Sequence, residues 1–398
     1  VAARLTEPVR AAARLVGETV RGSGLLWTAT LVVDRLLPLG VLGLWPDTRV
    51  SAAVLVTQLT AILRAWGMSA EHAAITVEHL LYADLRGIDS HGSSMMLHYH
   101  RARAAGSLAM SPAIALVREG ATTALLDGGG GLGHVPADLA MKIAIAKCRE
   151  AGMGAVAVRN SGHFGAAGAY VSMAAREGLI GLATTNTERP AMVPAGGVEA
   201  GLGTNPIALA APGGRGRPFL LDMATSSASL GRMATAWRKG RSIPAGWALD
   251  AAGRPVTSGR AAVEHRRLTP LGGTPEMSSH KGYGLAVAVE ILSAVLSGAR
   301  GPRTRGAVAG VGHFFLAIDP ARFRDDGGFG GDLDALLESL RASRPLDPAR
   351  PVLVAGDPEE AVREERGGAG IPLPRGVLED LRAVARAAGV PFTLDARG

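Results

Sequence analysis

From Ser51 onward, apolar and polar positions fall into regular periods. Ser51 is placed to cap a helix running to about Trp66, and Ser69 a second from Ala70 to about Leu85, with Glu71 in its first turn. A polar, histidine-rich segment follows. Short apolar runs then predict strands at Ala121–Leu126, Ala155–Val158, Ile180–Thr184, Pro218–Leu221 and His313–Ile318. Helical periods predict helices at Pro136–Glu150, Ala166–Arg176, Leu285–Leu296, Leu333–Leu340 and Gly376–Ala388. Pro136 suits a first helical turn, and Gly178 stops the helix that precedes it. Helices and strands alternate in the middle, and both ends are helical. The pattern predicts an α/β fold: an α/β domain over residues 121–318, beside a helical domain built from residues 50–120 and 319–398.

Residues 1–49 read differently. An apolar stretch from Gly24 to Trp45 is broken by Asp34, Arg35 and Pro38. A membrane span needs ~20 apolar residues without central charges, so no span is expected. No signal-peptide pattern is clear either. These 49 residues are expected to be an unplaced, poorly ordered extension.

Composition narrows the class. With 47% hydrophobic and 19% charged residues, the 398-residue chain can bury a sizeable core and is not disordered. Abundant glycine (54) and few aromatics (4%) favour a loop-rich α/β enzyme over an all-β sandwich. The net charge of +7 hints at nucleic acid or membrane, but 38 of the 42 basic residues are Arg, and they are scattered. No nucleic-acid or membrane partner is expected from that pattern. The single cysteine, Cys148, excludes an intrachain disulfide framework and any Cys-rich metal site. It lies in a predicted helix as a buried thiol, which fits a cytoplasmic location.

Several segments carry candidate chemistry. Gly128, Gly130 and Gly133 form G-x-G-x-x-G between a predicted strand and helix, and Arg159 ends the next strand. That is the pattern of a Rossmann-type NADP reductase, in which glycines admit a pyrophosphate and Arg meets a 2′-phosphate. Gly128–Gly131 are four consecutive glycines, however, so a glycine-rich turn gives the same match. The run RGIDSHG places His91 after Ser90 in a glycine-flanked loop, where an imidazole can exchange a proton with a developing alkoxide. NSGHFGAAG surrounds His163 with small residues that admit a flat ligand. GTNP (Gly203–Pro206) and LDMATS (Leu221–Ser226) offer hydrogen-bonding groups and Asp222. HKGYG opens a helix with Lys281, one of only four lysines, where a compact ammonium suits a phosphate. His98 and His100 flank Tyr99, but no cysteine or carboxylate cluster completes a metal site, so no metal is expected.

Together these segments resemble the type-2 malate/L-lactate dehydrogenase family, NAD(P)-dependent 2-hydroxyacid oxidoreductases that include ureidoglycolate, sulfolactate and diketogulonate enzymes. The pieces run in family order from about Val50 to the end: DSHG, LGH, NSGHFGAAG, AREGLIGLATTN, GLGTNPIALAAP, FLLDMATS, GWALDAAGRP, HKGYGLAVAVEIL, GHFFLAI and GIPLP. The resemblance implies a non-Rossmann cofactor-binding α/β domain beside a helical domain made by both chain ends, and a homodimer. It implies that His91 is the proton donor, with His163 a second active-site histidine. Ser90, Tyr99 and Met95 stand at substrate positions. Thr185, Asn186 and Thr187 line the cofactor cleft. Pro218, Leu221, Asp222 and Ala224, then His280 and Lys281, then Gly356, Asp357 and Pro358, match stretches that contact NAD or NADP. Asp222 is expected to hold the His91 ring in its useful tautomer. Two positions depart from the family: Met95 replaces an Arg that grips the substrate carboxylate, leaving Arg101 or another group to do so, and Asp357 shortens a family Glu. The implied reaction is hydride transfer between NAD(P) and a small 2-hydroxy or 2-oxo acid. A non-catalytic, ligand-binding homologue is the alternative that Met95 favours.

Overall fold

The computed structural model describes residues 47–238, 240–299 and 310–395. The Gly24–Trp45 stretch and residues 1–46 of the expected extension lie outside the described residues, while its residues 48–49 are ordered in a strand.

The chain opens with strand β1 (Thr48–Val50) and helices α1 (Ala52–Ala65) and α2 (Ala70–Leu85). The two predicted caps are in place: Ser51 Oγ accepts the Val54 N–H and Ser69 Oγ the His72 N–H. Helix α3 (Met96–Ala104) occupies the polar, histidine-rich segment. Strands β2 (Ala115–Glu119) and β3 (Thr123–Asp127) lead through the glycine run into α4 (His134–Ala151). Next come β4 (Met153–Ser161), α5 (Gly168–Arg176), β5 (Ile180–Thr185), β6 (Ile207–Ala211) and β7 (Phe219–Met223). Helices α6 (Leu230–Arg238), α7 (Gly259–His265) and α8 (Ser279–Glu290) follow, the last running on as a π-helical turn over Ile291–Val295. The chain finishes with β8 (Val311–Ile318), α9 (Phe329–Arg341), α10 (Asp357–Ala369), β9 (Ile371–Leu373) and α11 (Arg375–Ala387).

Seven strands form one mixed sheet in the order β2-β3-β4-β8-β5-β6-β7. Only β3 and β4 run parallel; the other pairings are antiparallel. Helices α4 and α5 cover one face through a core that includes Met141, Val156, Tyr170, Phe164 and Phe315. Close approach there needs glycine: a Cβ on Gly154 would lie 2.1 Å from the Ala144 carbonyl oxygen. The π turn covers the other face, where a Cβ on Gly312 would lie 2.1 Å from the Ser293 carbonyl oxygen. A second core joins α1, α2 and α3 to β9 and α11, so the two ends of the described chain meet. Strand β1 pairs antiparallel with β9 to complete that meeting. A third, smaller core gathers residues between Ala191 and Ala286, including Met192, Met233 and Leu268.

Candidate active site

The loop after α2 carries Ser90 and His91 and is held from both sides. Beneath it, Asp84 is buried and accepts the Ser93 N–H at 2.8 Å. Gly92 makes this possible, since a Cβ there would fall 1.9 Å from Asp84 Oδ1. From α10, Arg366 donates to the Asp84 carbonyl and to the Asp89 carboxylate, each at 2.5 Å. Burial pushes the Asp84 carboxyl up to about 7.

Two imidazoles face each other at this loop. The His91 ring stacks on the His163 ring with centroids 5.4 Å apart and planes inclined by 27°. His91 Nδ1 lies 2.8 Å from Ser90 Oγ. His163 Nδ1 lies 2.8 Å from the Tyr99 hydroxyl and accepts the Gly165 N–H at 3.3 Å. Burial pushes the Tyr99 hydroxyl far above its ordinary value, so it keeps its proton and donates. His163 therefore carries its own ring proton on Nε2. Burial also lowers the affinity of His91 for a proton, and that of His163 further, where His91, His98 and His313 add like charge. The pair is neutral near pH 7, with a ring ready to accept a proton from a hydroxyl. Behind it, His313 is clamped between Thr185 Oγ1 (2.7 Å) and Ser161 Oγ (2.9 Å) and stacks on Phe164. Its pKa falls to about 3 on burial, so it acts as neutral scaffolding.

The remaining expected residues fall into distinct places. Asp222 on β7 accepts the Gly168 N–H at 2.7 Å, at the start of α5. The side chain that meets the His91 ring here is Ser90, while Asp222 serves a helix N-terminus. Burial lifts the Asp222 carboxyl to about 6, with Glu359 adding to the rise. The strand stretch Pro218–Ala224 and the Gly356 segment meet, for Leu220 N–H donates to the Ala355 carbonyl and Gly356, at φ +99°, packs on Leu220. Both Asp357 oxygens are held by Arg341, at 2.8 and 2.9 Å, and Pro358 follows in the first turn of α10. Thr185 and Asn186 are buried. Asn186 accepts the Gly312 N–H and donates to Glu290, so it ties β5 to β8 and α8. Thr187 donates to the Arg189 carbonyl. His280 and Lys281 are exposed at the start of α8, and Lys281 forms no ion pair among the described residues. Met95 packs against the helical core. Residue Gly231 in α6 abuts Ser90, its notional Cβ 3.1 Å from the serine Cβ, which brings the smaller core to the loop.

The glycine run is fully engaged with its neighbours. The N–H groups of Gly128 and Gly130 donate to the carbonyls of Arg159 and Asn160, that of Gly129 to Asp127, and that of Gly133 to the His163 carbonyl. Arg159 pairs with Asp127 at 3.3 Å. Sequence reasoning missed Asp84 and Arg366, and gave His134 no role although LGH was among the matching segments. No spacing signal marks the first two: Arg366 and Asp89 are 277 positions apart.

Comparison with known proteins shows which family the chain resembles. A model of the malate/L-lactate dehydrogenase family matches residues 50–382. Malate dehydrogenase from Pyrococcus abyssi is 42% identical over 347 residues, covering 86% of this chain and 95% of the relative. L-sulfolactate dehydrogenase from Methanocaldococcus jannaschii is 38% identical over 334 residues, covering 83% and 94%. The solved structure of malate dehydrogenase from Pyrococcus horikoshii superposes with a TM-score of 0.80 at 37% identity, covering 88% of this chain and 99% of that one. The mixed α/β fold is thus a dehydrogenase fold. The chain belongs to the malate/L-lactate dehydrogenase family.

Proposed function

We propose that this protein catalyses reversible hydride transfer between a nicotinamide cofactor and C2 of a small 2-hydroxy or 2-oxo acid. The observation that carries the reading is the stacked His91–His163 pair, with Ser90 on one ring and Tyr99 on the other. In oxidation, neutral His91 takes the hydroxyl proton; in reduction, its protonated form supplies a proton to the developing alkoxide. Tyr99 and the Gly165 N–H fix the tautomer of His163, which presents Nε2–H toward the substrate oxygen. NAD or NADP supplies the hydride-accepting or hydride-donating carbon. The donor set fits such an anionic dinucleotide. Lys281 stands exposed beside the N-terminal end of α8, where an ammonium suits a phosphate.

We read the cofactor domain as non-Rossmann. The support is the mixed sheet, with one parallel pairing, and a glycine run whose amides are already bonded. The domain reading of the helical and α/β parts follows the separation of their cores. Cytoplasmic, homodimeric assembly is part of the same proposal, supported by the lone buried Cys148 and by family resemblance.

Met95 leaves substrate-carboxylate recognition to another cation. Arg189 and Arg101 both act electrostatically on His98, next to Tyr99, and we assign the role to Arg189 first. Arg189→Ala should raise KM for the acid about 10–100-fold, the worth of one charged hydrogen bond, with a smaller effect on kcat. An unchanged KM would move the role to Arg101.

The central test is His91→Ala, assayed with both cofactors against a panel of 2-oxo acids that includes oxaloacetate, pyruvate and sulfopyruvate. Turnover should fall about 10²–10⁴-fold with an unchanged circular-dichroism spectrum. Near-normal turnover would transfer the acid/base role to His163. Nicotinamide binding without turnover on any acid in the wild-type protein would favour the ligand-binding homologue.

A further inference from the structure

The line of imidazoles continues behind His163. His134, the first residue of α4, is fully buried, and its ring centroid lies 6.5 Å from that of His163 and 5.9 Å from that of Tyr99. Neither ring nitrogen of His134 has a hydrogen-bond partner. A buried, unpartnered polar ring is costly, and phenylalanine would fill the same space without that cost. On its far side His134 stacks on His79, with centroids 6.3 Å apart. His79 Nε2 faces Asp138 Oδ1 at 3.3 Å, and Asp138 Oδ2 accepts from Lys142 Nζ at 2.6 Å. The Lys142 side chain is 60% exposed. Beside His134, residue 165 is a glycine at φ +78° that packs close against the ring. A Cβ there would lie 3.0 Å from His134 Nε2 and 3.7 Å from the His91 carbonyl oxygen. Polar, titratable groups therefore follow one another from the reactive loop to the surface of α4.

We propose that this file is a proton path, in which His134 relays protons between the His91–His163 pair and Asp138 through ordered water at its ring nitrogens. It rests on the acid/base reading of His91. In reduction, the His91 N–H bond breaks and an O–H bond forms on the alkoxide. A proton entering at Lys142 and Asp138 then restores His91 by way of His79, His134, the Tyr99 hydroxyl and His163: Tyr99 passes its proton to His163 Nδ1 as it takes one from the His134 side, and His163 gives up its Nε2 proton to His91. In oxidation the same groups carry the hydroxyl proton out. No electrons move along the path; the cofactor and the C2 carbon exchange the hydride. The open side of His91 is where the substrate oxygen must stand, so resupply during turnover comes from behind.

The test separates hydride transfer from proton exchange. His134→Phe keeps the ring volume and removes both nitrogens. Single-turnover hydride transfer, followed by nicotinamide absorbance, should stay within about 2-fold of wild type. Steady-state turnover in weak buffer should fall about 10-fold or more and recover on adding imidazole. Asp138→Asn interrupts the outer end, should give the same pattern, and decides the matter if His134→Phe does not fold. In the ligand-free protein, the ¹⁵N shifts of the His134 ring should report hydrogen-bonded nitrogens. Equal losses in both rates, unchanged turnover, no response to imidazole, or a His134 ring with two unbonded nitrogens would each overturn the path. His91→Ala keeps the two failures apart. If it leaves hydride transfer intact, the acid/base reading falls; if only the His134 and Asp138 variants fail, that reading stands and the path alone falls.

Discussion

Asp84 shows how one residue sets the conditions for another. Its carboxyl lies under the His91 loop with its pKa raised to about 7 by burial, against an ordinary value near 4. The folded state thus holds a proton that the unfolded state releases as pH rises from about 4. The stability this contributes is complete below that pH and is lost as pH rises through 7. Asp84→Asn removes the titration while leaving an oxygen to accept the Ser93 N–H. Measured by thermal unfolding, the variant should gain on wild type between pH 4 and 7, by on the order of 1–3 kcal/mol, and level off above. A constant difference across that range would show that Asp84 ionises normally. Ser90, His91 and His163 were legible as candidates because a Ser-His pair and a glycine-flanked His carry chemistry in their own type and spacing. Asp84 was not, because a buried carboxylate in a helix has the same local sequence as an exposed one.

At the level of elements, the glycines decide what can touch. Gly92 brings the loop onto Asp84, and Gly92→Ala would force a Cβ to 1.9 Å from a carboxylate oxygen. This variant should lose about 1–3 kcal/mol of stability and turnover in excess of that loss, because the loop holding His91 must move. Unchanged melting and turnover would show that the loop relaxes freely. The Gly128–Gly133 run is the opposite lesson. Its spacing matched a dinucleotide fingerprint, but its amides bond to β4 and to the His163 carbonyl, so it braces β4 and the His163 loop that follows it. Cap and period signals placed α1, α2, α4 and α11 to within a few residues, since each buries one face and α1 and α2 also cap locally. They missed β1, α3, β2, β6, α6, α7, α10 and β9. Helix α10 is almost wholly polar and buries only Arg366, so no apolar period announces it. Strand β6 is a five-residue run of small apolar residues, equally suited to a helix.

Across the whole molecule, the two ends of the described chain act on one loop. Strand β9 pairs with β1, α11 packs into the core of α1 and α2, and α10 delivers Arg366 to the His91 loop. Arg366→Met would leave the Asp89 charge and the Asp84 carbonyl without their donor. Turnover should drop about 10-fold or more, and stability by ~1–3 kcal/mol, the worth of a charged hydrogen bond beside an exposed carboxylate, although the change is far from His91 in sequence. Urea unfolding together with steady-state kinetics would check this; a variant with wild-type values in both would remove Arg366 from the support of the site. Leu381→Ala in α11 provides the contrast. It should lose ~2–5 kcal/mol through a cavity in the helical core, while turnover at low temperature stays near wild type.

The sequence by itself determined the family and the reaction class, and it singled out two candidate histidines. Those rest on residue type and short-range spacing, which are local and survive any arrangement of the rest. It also left Lys281 conspicuous among the arginines. Only the tertiary structure decided which partner each group has: Ser90 for His91, Tyr99 for His163, Arg341 for Asp357 and a helix N-terminus for Asp222. It alone lined His134, His79 and Asp138 behind the site. The reason is physical. Hydrogen bonds and burial depend on distances closed by sheet order and by the meeting of both chain ends, and neither is encoded in any one stretch of residues.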